Sequence, residues 1–267
     1  NIGVIMKRIK LFVNHTEKAR KVASELEKEL LENGLSNSLR PQLGISVGGD
    51  GAFLRMVKQC HFNENMYFVG IHAGTLGFLQ EIDVAWMKDF VSRLKENDYK
   101  IETLNLIEVH VVTKMREYIF TALNEVVVRD KSFRTLKLKV EVDSELLEHY
   151  VGDGLLISSS TGSTAYNMSF GGAIVYNTLD TLQITPIAPL NNRVYQTLSN
   201  SFILPSDKHI ILSLEGEYSN LFLSIDGVNK TFQDVVRVET KISDKKLSVL
   251  RMQDFHFVRV VHEKLLD

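Results

Sequence analysis

Apolar and polar positions over the first hundred residues alternate between the periods of strands and of helices. The segments KRIKLFV (7–13), ISV (45–47) and YFVGI (67–71) are short apolar, β-rich runs typical of buried strands. The residues that recur at helical spacing after the first strand are Ala19, Val22, Ala23, Leu26 and Leu30. Thr16 is the predicted N-cap of that helix, and Gly34 ends its pattern. Repeated strand and helix units with apolar strands predict a parallel sheet covered by helices on both faces.

Two glycine-rich loops follow strands of this predicted sheet. GGDG (48–51) leads from the second strand into the helix AFLRMVKQC (52–60), and the third strand runs into the loop HAGTLGFL (72–79). Asp83 is the predicted cap of a further helix over residues 84–97. In open α/β sheets, ligands collect at the carboxyl ends of the strands. Both glycine loops are therefore candidate parts of a binding site.

After about residue 104 the pattern changes to short alternating runs separated by turn residues, which predict antiparallel sheets. The conspicuous interruption is TGSTAYNMSFGG (161–172), which is small and polar and has the character of a helix start. The last stretch, RMQDFHFVRVVHEKLLD, is too short for a domain and is expected to pack back onto the first one. We predict an α/β plus β fold. It consists of a Rossmann-like α/β nucleotide-binding domain over 1–104 plus about 252–267, and an antiparallel β-sandwich-like domain over 105–251.

Composition narrows the classes of partner. The 31 basic residues nearly balance the 33 acidic ones, giving a net charge of -2, so nucleic acid is not an expected partner. No apolar stretch reaches the roughly 18 residues of a membrane-spanning helix, and the first residues lack the layout of a signal peptide. One cysteine, Cys60, excludes a disulfide framework or a thiolate zinc site within the chain, and a cytoplasmic location is expected. Met6 is a candidate natural start, with residues 1–5 upstream of it.

Several familiar signatures are absent from the sequence. It contains no G-x-x-x-x-G-K-[ST] phosphate loop, and no G-x-G-x-x-G follows a strand with an acidic residue about 20 positions later. A dehydrogenase that binds its dinucleotide through the G-x-G-x-x-G motif is therefore not favoured by the sequence. The 8 histidines are dispersed, without H-E-x-x-H or C-x-x-C-H, and do not predict a protein-bound metal.

The segment GISVGGDG (44–51) combines a phosphate cradle with a negative charge. Glycines and outward-pointing amides before a helix favour phosphate, and Gly48, Gly49 and Gly51 surround Asp50. A carboxylate in that position repels phosphate unless it serves as a base, a metal anchor or a hydroxyl clamp. A simpler interpretation is a tight turn in which Asp50 caps the following helix. Three glycines around a cap favour the ligand.

Asn124 and Glu125 interrupt the apolar strand YIFTALNEVVVR with two adjacent polar side chains. The pair fits either a bulge or exposed strand end, or a group that hydrogen-bonds the vicinal hydroxyls of a ribose. Further along, Asp153 lies between glycines in GDG (152–154), and the next polar loop offers Tyr166 for stacking on a ring. The hydroxyl residues of that loop are Thr161, Ser163, Thr164 and Ser169. They suit an adenine edge or a carboxamide, or form a surface loop that caps a helix at Thr164.

Together these segments resemble the NAD kinase family over most of the chain and in the same order. The matching segments are GGDG at 48–51, IHAGTLGFL at 71–79, NE at 124–125, GDG followed by TGSTAYNMSFGGAI at 161–174, AP and NNR within 188–193, and SIDG at 224–227. GGDG alone is shared with lipid kinases and phosphofructokinases. GDG with TGSTAY and an upstream NE is the specific part of the resemblance.

The resemblance implies an enzyme that transfers the γ-phosphoryl group of ATP, or of polyphosphate, to the 2'-hydroxyl of the adenosine ribose of NAD. Asp50 is the implied proton acceptor, and Gly48 and Gly49 form the implied phosphate loop. The implied NAD-binding residues are Gly51, Phe78, Asn124, Glu125, Asp153, Thr161, Thr164, Ala165, Tyr166, Asn167, Ser169 and Ala188. Mg²⁺ or another divalent metal is expected to arrive with ATP rather than in a protein site. Members of the family are commonly homotetramers in which a neighbouring subunit completes the dinucleotide site.

Two departures and two rivals accompany this resemblance. Family members often have TPTGSTAY where this chain has Ser159 and Ser160, which predicts a less rigid loop, and many carry a basic residue at the position of Val151. The rival enzyme is a diacylglycerol-type lipid kinase, which shares GGDG but leaves NE and TGSTAY unexplained. The rival from another class is an NAD or NADP sensor that has lost catalysis, against which the retained Asp50 argues.

Overall fold

The computed structural model describes residues 6–74, 77–132, 134–216 and 220–266. The candidate upstream segment 1–5 and two positions of the loop HAGTLGFL, Thr75 and Leu76, lie outside the described residues. Within the described residues, no helix is both long enough and apolar enough to cross a bilayer.

The elements in chain order are β1 (Arg8–Val13), α1 (Glu17–Glu32), β2 (Ser36–Asn37), β3 (Leu43–Gly48), α2 (Asp50–Gln59), β4 (Tyr67–His72), β5 (Ile82–Asp83) and α3 (Met87–Glu96). They continue with β6 (Lys100–Thr113), β7 (Glu117–Ala122), β8 (Glu125–Asp130), β9 (Leu136–Val142), β10 (Glu145–Gly152), β11 (Gly154–Ser159) and α4 (Tyr166–Ser169). The last are β12 (Thr181–Ile187), β13 (Phe202–Pro205), β14 (Ile210–Leu214), β15 (Asn220–Ile225), β16 (Val228–Gln233), β17 (Val235–Arg251) and α5 (Phe257–Leu265).

Contacts divide the chain into two compact units, Asn1–Leu104 with Lys246–Asp267, and Asn105–Lys245. The first unit contains a parallel sheet in the order β2, β1, β3, β4, followed by the last residues of β17, which pair with β4 in parallel. Its core joins sheet residues such as Ile45 and Ile71 to helix residues such as Leu26 of α1 and Phe90 of α3. The predicted parallel α/β sheet is confirmed. Both GGDG and HAGTLGFL begin at the carboxyl end of a strand, as the sequence pattern predicts.

Helix starts in the first unit follow local capping chemistry. The Thr16 side chain accepts a hydrogen bond from the Ala19 backbone N–H at 3.3 Å, which confirms the predicted N-cap of α1. Asp83 accepts from the Ala85 N–H at 2.7 Å, but it caps a single turn of 3-10 helix over Val84–Trp86. The α-helix that follows begins only at Met87, whose N–H bonds back to Val84 across three residues. The predicted helix is therefore two helical segments.

The second unit is a β sandwich. One sheet has six antiparallel strands in the order β13, β12, β11, β8, β15, β16, and the other contains β10, β9, β14 and β17. Alternate residues of both sheets, including Val126 and Ile157 on one side and Leu138 and Leu212 on the other, meet in one hydrophobic core. The predicted antiparallel β-sandwich-like domain is confirmed.

The C-terminal segment returns to the first unit. Lys100 donates from Nζ to the carbonyls of Gln253 and Phe255 at 3.3 Å each, and Arg93 pairs with Asp254 at 3.4 Å. These contacts confirm the prediction that the tail packs back onto the α/β domain. α5 itself has no buried residue, so side chains along it must hold it in place.

A buried charged cluster connects the end of β17 to the loop after β4. Arg251 donates to Glu102 through Nε at 2.6 Å and pairs with Glu81 at 3.5 Å, while Glu81 also accepts from the Met252 N–H at 2.7 Å. Burial raises the pKa of Glu81 from 4.5 to about 7, against the opposing attraction of Arg251. Glu102 adds to this increase in the pKa by repulsion.

This cluster predicts a pH-dependent stability. Between pH 4.5 and about 7 the folded state binds a proton at Glu81 that the unfolded chain has lost, so stability falls as pH rises through this window. The shift corresponds to about 3 kcal/mol. We expect Glu81→Gln to flatten the fall in urea midpoint between pH 5 and 8, because glutamine keeps an acceptor for Met252 and does not titrate.

The matched control is Glu32→Gln, which changes an exposed acid on α1. It should keep the pH slope of the wild-type protein. Equal slopes for the wild-type protein and Glu81→Gln would contradict the assignment of this titration to Glu81.

Candidate active site

The GGDG turn joins β3 to α2 without a side-chain cap. Gly49 occupies the N-cap position, and Asp50 is the first residue of the helix, so the interpretation of Asp50 as the cap of its own helix is wrong. Gly48 is required by packing, because a Cβ there would lie 2.8 Å from the Cβ of Ala52 and 3.0 Å from that of Asn14. The Asp50 side chain is thus available for another task.

The loop after β4 holds the Asp50 carboxylate. Oδ2 accepts from the Phe78 N–H and Oδ1 accepts from the Leu79 N–H, both at 3.0 Å. Gly77 permits this approach, because a Cβ at that position would lie 2.0 Å from Oδ1. The two glycine loops predicted from sequence are therefore in direct contact, and the contact fixes the direction of the carboxylate.

Gln80 fixes the other side of the same turn. This fully buried side chain donates from Nε2 to the Gly49 carbonyl at 2.7 Å and to the Ser46 hydroxyl at 3.1 Å. Gly70 in β4 leaves the space for it, because a Cβ there would lie 2.2 Å from Oε1 of Gln80. The sequence analysis missed Gln80. Its only local signal is an amide that follows the apolar pair Phe78 and Leu79.

Two cations that the sequence analysis also missed lie at this turn. Arg55, on the next turn of α2, donates from Nη2 to Oδ1 of Asn14 at 3.0 Å. Lys264, on α5, places Nζ 3.5 Å from Oδ2 of Asp50 and 4.8 Å from the centre of the Phe78 ring. The GGDG turn therefore has positive charge beside its carboxylate, although the surrounding sequence is nearly neutral.

The glycines of GGDG and GDG differ in what surrounds them. Among the described residues, a Cβ at Gly49 would meet no atom within 4 Å, and one at Gly51 would meet only the end of the Arg55 side chain, at 3.6 Å. In GDG, a Cβ at Gly152 would lie 2.2 Å from the Tyr150 hydroxyl, and one at Gly154 would lie 2.4 Å from a backbone carbonyl. The glycines of GDG are explained by packing within the protein. Gly49 and Gly51 border space that the described part of the chain does not fill.

In the second unit, the NE pair is clamped by the aspartate of SIDG. The Asp226 carboxylate accepts from the backbone N–H groups of Leu123, Asn124 and Glu125 at 2.9, 2.7 and 3.2 Å. Asn124 and Glu125 are 5% and 6% exposed, so the interpretation as an exposed strand end is wrong. Within the described residues, Oδ1 of Asn124 accepts no hydrogen bond. A buried amide oxygen in this state is suited to a donor from a ligand.

The TGSTAY loop packs directly onto this pair. A Cβ at Gly162 would lie 2.0 Å from the carbonyl oxygen of Asn124. The Ser159 hydroxyl donates to the Leu123 carbonyl at 2.6 Å and accepts from the Gly162 N–H at 3.1 Å, while Ser160 accepts from the Thr181 N–H at 3.3 Å. The two serines found in place of the proline pattern thus anchor the turn by hydrogen bonds. Val151, the other departure, is buried at the end of β10.

Hydroxyl and amide groups of the loop are largely used within the protein. Ser163 accepts from the Val175 N–H at 3.0 Å, and Thr164 donates to the Thr161 carbonyl at 3.4 Å. Asn167 is fully buried and accepts from the Thr185 hydroxyl at 2.6 Å. Its part in NAD binding stays a prediction, and its contacts point to holding the loop. Tyr166, in contrast, is 44% exposed and meets Phe170 edge to face at 4.8 Å.

A groove of about 640 Å³ lies on the outer face of the six-stranded sheet. Strand alternation forms it, because Glu125 and Arg129 of β8 face away from the core to which Val126 and Val128 contribute. The side chains that line this outer-face groove include Glu125, Arg129, Asp130, Tyr166, Ser224 and Asn229. Two of the predicted NAD-binding residues, Glu125 and Tyr166, therefore share one groove.

Charge in the outer-face groove is balanced. Arg129 lies 3.8 Å from Asp153, the acid of GDG, through Nη2 and Oδ2. Burial opposes ionisation of Asp130, but hydrogen bonds from Arg134 and the Ser132 N–H outweigh it and hold the pKa of Asp130 below its usual value. Beneath GDG, burial raises the pKa of Tyr150. Its hydroxyl oxygen lies 2.6 and 2.7 Å from the Gly154 and Ile187 carbonyl oxygens, which share its single O–H donor. Tyr150 thus acts as a neutral anchor for that turn.

Ala188 and Ser169 complete the predicted set in this unit. Both are exposed, and Ala188 has a φ of 46°, directly after β12. The Ala188 carbonyl also restricts Gly152, because a Cβ there would lie 2.8 Å from it. The backbone of Ala188 therefore lies next to GDG, as a shared binding region requires.

Comparison with known proteins agrees with these motifs. The family model described as ATP-NAD kinase C-terminal domain matches residues 123–252, which include NE, GDG, TGSTAY and SIDG. An NAD kinase of Finegoldia magna is 34% identical over 264 residues, which cover 95% of this chain and 96% of that relative. The chain belongs to the NAD kinase family. The family prediction made from the motifs is confirmed.

Other members of the NAD kinase family show similar coverage. The NAD kinases of Latilactobacillus sakei and Geobacillus stearothermophilus are 33% and 32% identical, each over 94% of this chain. GGDG lies outside residues 123–252, which the family model matches. The similarity of the first unit to this family therefore rests on the relatives, whose alignments cover nearly the whole chain. The solved yeast NADH kinase, complexed with NADH, has a TM-score of 0.84 and covers 97% of this chain and 87% of its own. At 20% identity that structure shows that the two proteins share a fold.

Proposed function

We propose that this protein is an NAD kinase, which transfers the γ-phosphoryl group of ATP, or of polyphosphate, to the 2'-hydroxyl of the adenosine ribose of NAD and forms NADP. Similarity to NAD kinases over nearly the whole chain supports this function. The observation that carries it is Asp50, whose carboxylate is aimed by the Phe78 and Leu79 N–H groups. It lies between two glycines, Gly49 and Gly51, that the described residues leave uncrowded.

Asp50 accepts the proton of the ribose hydroxyl in this proposal. Each carboxylate oxygen receives one backbone N–H and keeps further lone-pair capacity for a hydroxyl donor. A carboxylate is a weak base toward an alcohol, so the proton moves late, as the oxygen to phosphorus bond forms. Phosphoryl transfer depends mainly on positioning and charge neutralisation, and Mg²⁺ bound to the substrate ATP supplies part of the latter. Gly48 and Gly49 are the proposed phosphate loop.

The second unit is the proposed NAD-binding domain. Asn124 supplies a buried amide oxygen, and Glu125 a carboxylate, for the hydroxyls of the ribose. Tyr166 offers an exposed ring for stacking. The other proposed contacts are Gly51 and Phe78 in the first unit, and Asp153, Thr161, Thr164, Ala165, Asn167, Ser169 and Ala188 in the second. We also propose a homotetramer in the cytoplasm, and exposed Phe202 and Ile203 on the edge strand β13 support self-association.

A glycine variant tests the proposed NAD contact at Gly51 separately from folding. Gly51 lies in α2, and the end of the Arg55 side chain is the only group near it in the described structure. Gly51→Ala should therefore fold and gain up to about 1 kcal/mol of stability. We expect it to lose activity and to raise the KM for NAD, because the added methyl group occupies space proposed for that substrate. Urea unfolding and initial rates measure the two effects. Unchanged kinetics would contradict a ligand-contacting role for Gly51.

One assay tests the function itself. The protein is incubated with MgATP and NAD, and NADP is detected with an NADP-specific dehydrogenase, while NAD binding is measured by calorimetry. We expect NADP to accumulate only when the phosphoryl donor and a divalent metal are both present. Binding of NAD without NADP formation would instead identify a sensor. Phosphorylation of diacylglycerol in place of NAD would identify a lipid kinase.

A further inference from the structure

The phosphoryl-transfer site carries an electrostatic conflict. Asp50 is a carboxylate at the glycine turn where a triphosphate is proposed to approach, and like charges a few ångströms apart repel. The two backbone N–H groups that hold Asp50 carry no net charge. Mg²⁺ on the incoming ATP offsets part of this repulsion, and a protein cation beside Asp50 would offset the rest.

Lys264 is placed to do so. Its Nζ lies 3.5 Å from Oδ2 of Asp50, and both side chains are about 30% exposed or less. The same Nζ lies 4.8 Å from the centre of the Phe78 ring, the residue whose N–H holds Oδ2. The Phe78 ring in turn contacts Phe257 at the start of α5, with the ring centres 6.4 Å apart. Two points along α5 thus set the position of the ammonium group relative to the carboxylate.

Arg55, the second cation near the GGDG turn, has a different partner. Arg55 is bonded to the neutral amide of Asn14, and in the described part of the chain it forms no ion pair. Lys264 is therefore the cation in contact with Asp50 itself, although it lies 214 positions away in sequence.

We propose that Lys264 is a positioning residue of the phosphoryl-transfer reaction, which holds the Asp50 carboxylate and cancels its repulsion of the incoming nucleoside triphosphate. The inference rests on the proposed NAD kinase function. It assigns to the C-terminal helix α5 a part in donor binding that acts through Asp50. The pair carries no net charge, so MgATP can approach while the carboxylate remains a proton acceptor for the ribose hydroxyl.

Substitutions at Lys264 should separate donor binding from acceptor binding. Lys264→Met keeps an unbranched side chain of similar length at this position and removes the charge that lies over the Phe78 ring. We expect it to weaken MgATP binding about tenfold or more, because an unpaired carboxylate then faces the phosphates, with the KM for NAD unchanged. Lys264→Arg should restore most of the affinity, and added salt should reduce the defect of Lys264→Met by screening. The matched control is Lys28→Met, which removes an exposed lysine of α1.

A double-mutant cycle with Asp50→Asn decides whether Lys264 acts through Asp50. MgATP affinity is measured by calorimetry in both single variants and in the double variant. In the Asp50→Asn background, Lys264→Met should change the affinity little, because the charge to be offset has gone. An equal loss in both backgrounds would show direct phosphate contact and would overturn the inference.

Other outcomes also decide the question. Unchanged MgATP affinity in Lys264→Met overturns the inference. A loss of MgATP affinity also overturns it if Lys264→Arg does not restore the affinity and the melting temperature of Lys264→Met is lowered. If the wild-type protein forms no NADP, the proposed function fails and the inference fails with it. If the wild-type protein is active and Lys264→Met matches it, the inference alone fails.

Discussion

Asp50→Asn is expected to lower kcat by roughly 10² to 10⁴, the range typical of removing a general base, while NAD binding is retained. The amide can still accept one of the two N–H bonds from Phe78 and Leu79, so the turn keeps part of its support. It cannot take the proton of the ribose hydroxyl. Initial rates of NADP formation and calorimetric NAD binding provide the two measurements.

Two controls distinguish the loss of a proton acceptor from the loss of a negative charge or of the fold. Asp207→Asn removes an exposed carboxylate that pairs only weakly, at 3.9 Å, with Lys208, and it should leave kcat unchanged. A melting temperature for Asp50→Asn close to that of the wild-type protein shows that the turn survives. Near-normal turnover in a folded Asp50→Asn variant would show that Asp50 aims the hydroxyl without accepting its proton.

Gly162→Ala is expected to destabilise the second unit by about 3 kcal/mol and to abolish NAD binding. The new Cβ would lie 2.0 Å from the carbonyl oxygen of Asn124, 2.4 Å from its carbon and 2.7 Å from its Cα. All three are backbone atoms of the residue before β8, and Asp226 holds the N–H groups there, so neither side can move cheaply. Urea unfolding and NAD titration measure the outcome.

A second glycine variant serves as the control. Gly34→Ala also replaces a glycine, but at the end of α1, where a Cβ would meet no described atom within 4 Å and the cost is the φ of 74°. We expect about 1 kcal/mol of destabilisation and unchanged NAD affinity. If Gly162→Ala were no more harmful than Gly34→Ala, the close packing of TGSTAY on NE would not determine the binding region.

The spacing of apolar residues, together with capping residues and glycines, was enough to predict the main helices and strands. The helical spacing of Ala19 to Leu30 and the cap at Thr16 reappear in α1, and the two glycine loops begin at strand ends. These features depend on residues a few positions apart, because hydrogen bonds within a helix turn or between a cap and its helix are local. The two successive segments of helix after Asp83 were not predicted, since the choice between 3-10 and α geometry in one turn has no clear sequence signal.

The motifs also indicated the candidate site residues, but the role of each residue depends on its contacts in the folded protein. GGDG and GDG look alike in sequence, yet Gly152 and Gly154 are required by Tyr150 and a strand backbone. Gly49 and Gly51, in contrast, border space that the described residues leave empty. Whether a glycine accommodates a neighbouring atom or a ligand depends on what the fold places within a few ångströms of it. That information is not contained in the motif.

The sequence by itself determined the family, the α/β plus β fold and the chemical types at each loop. Only the tertiary structure decided that Asp226 holds the NE pair, that Gln80 holds the GGDG turn and that Lys264 lies beside Asp50. The residues of each pair are separated by tens to hundreds of positions. A buried glutamine, or a lysine on an amphipathic helix, has the same local sequence pattern whether or not it contacts a distant residue. Sequence periodicity reports which face of an element is buried, whereas the pairing of side chains follows from how strands and helices pack.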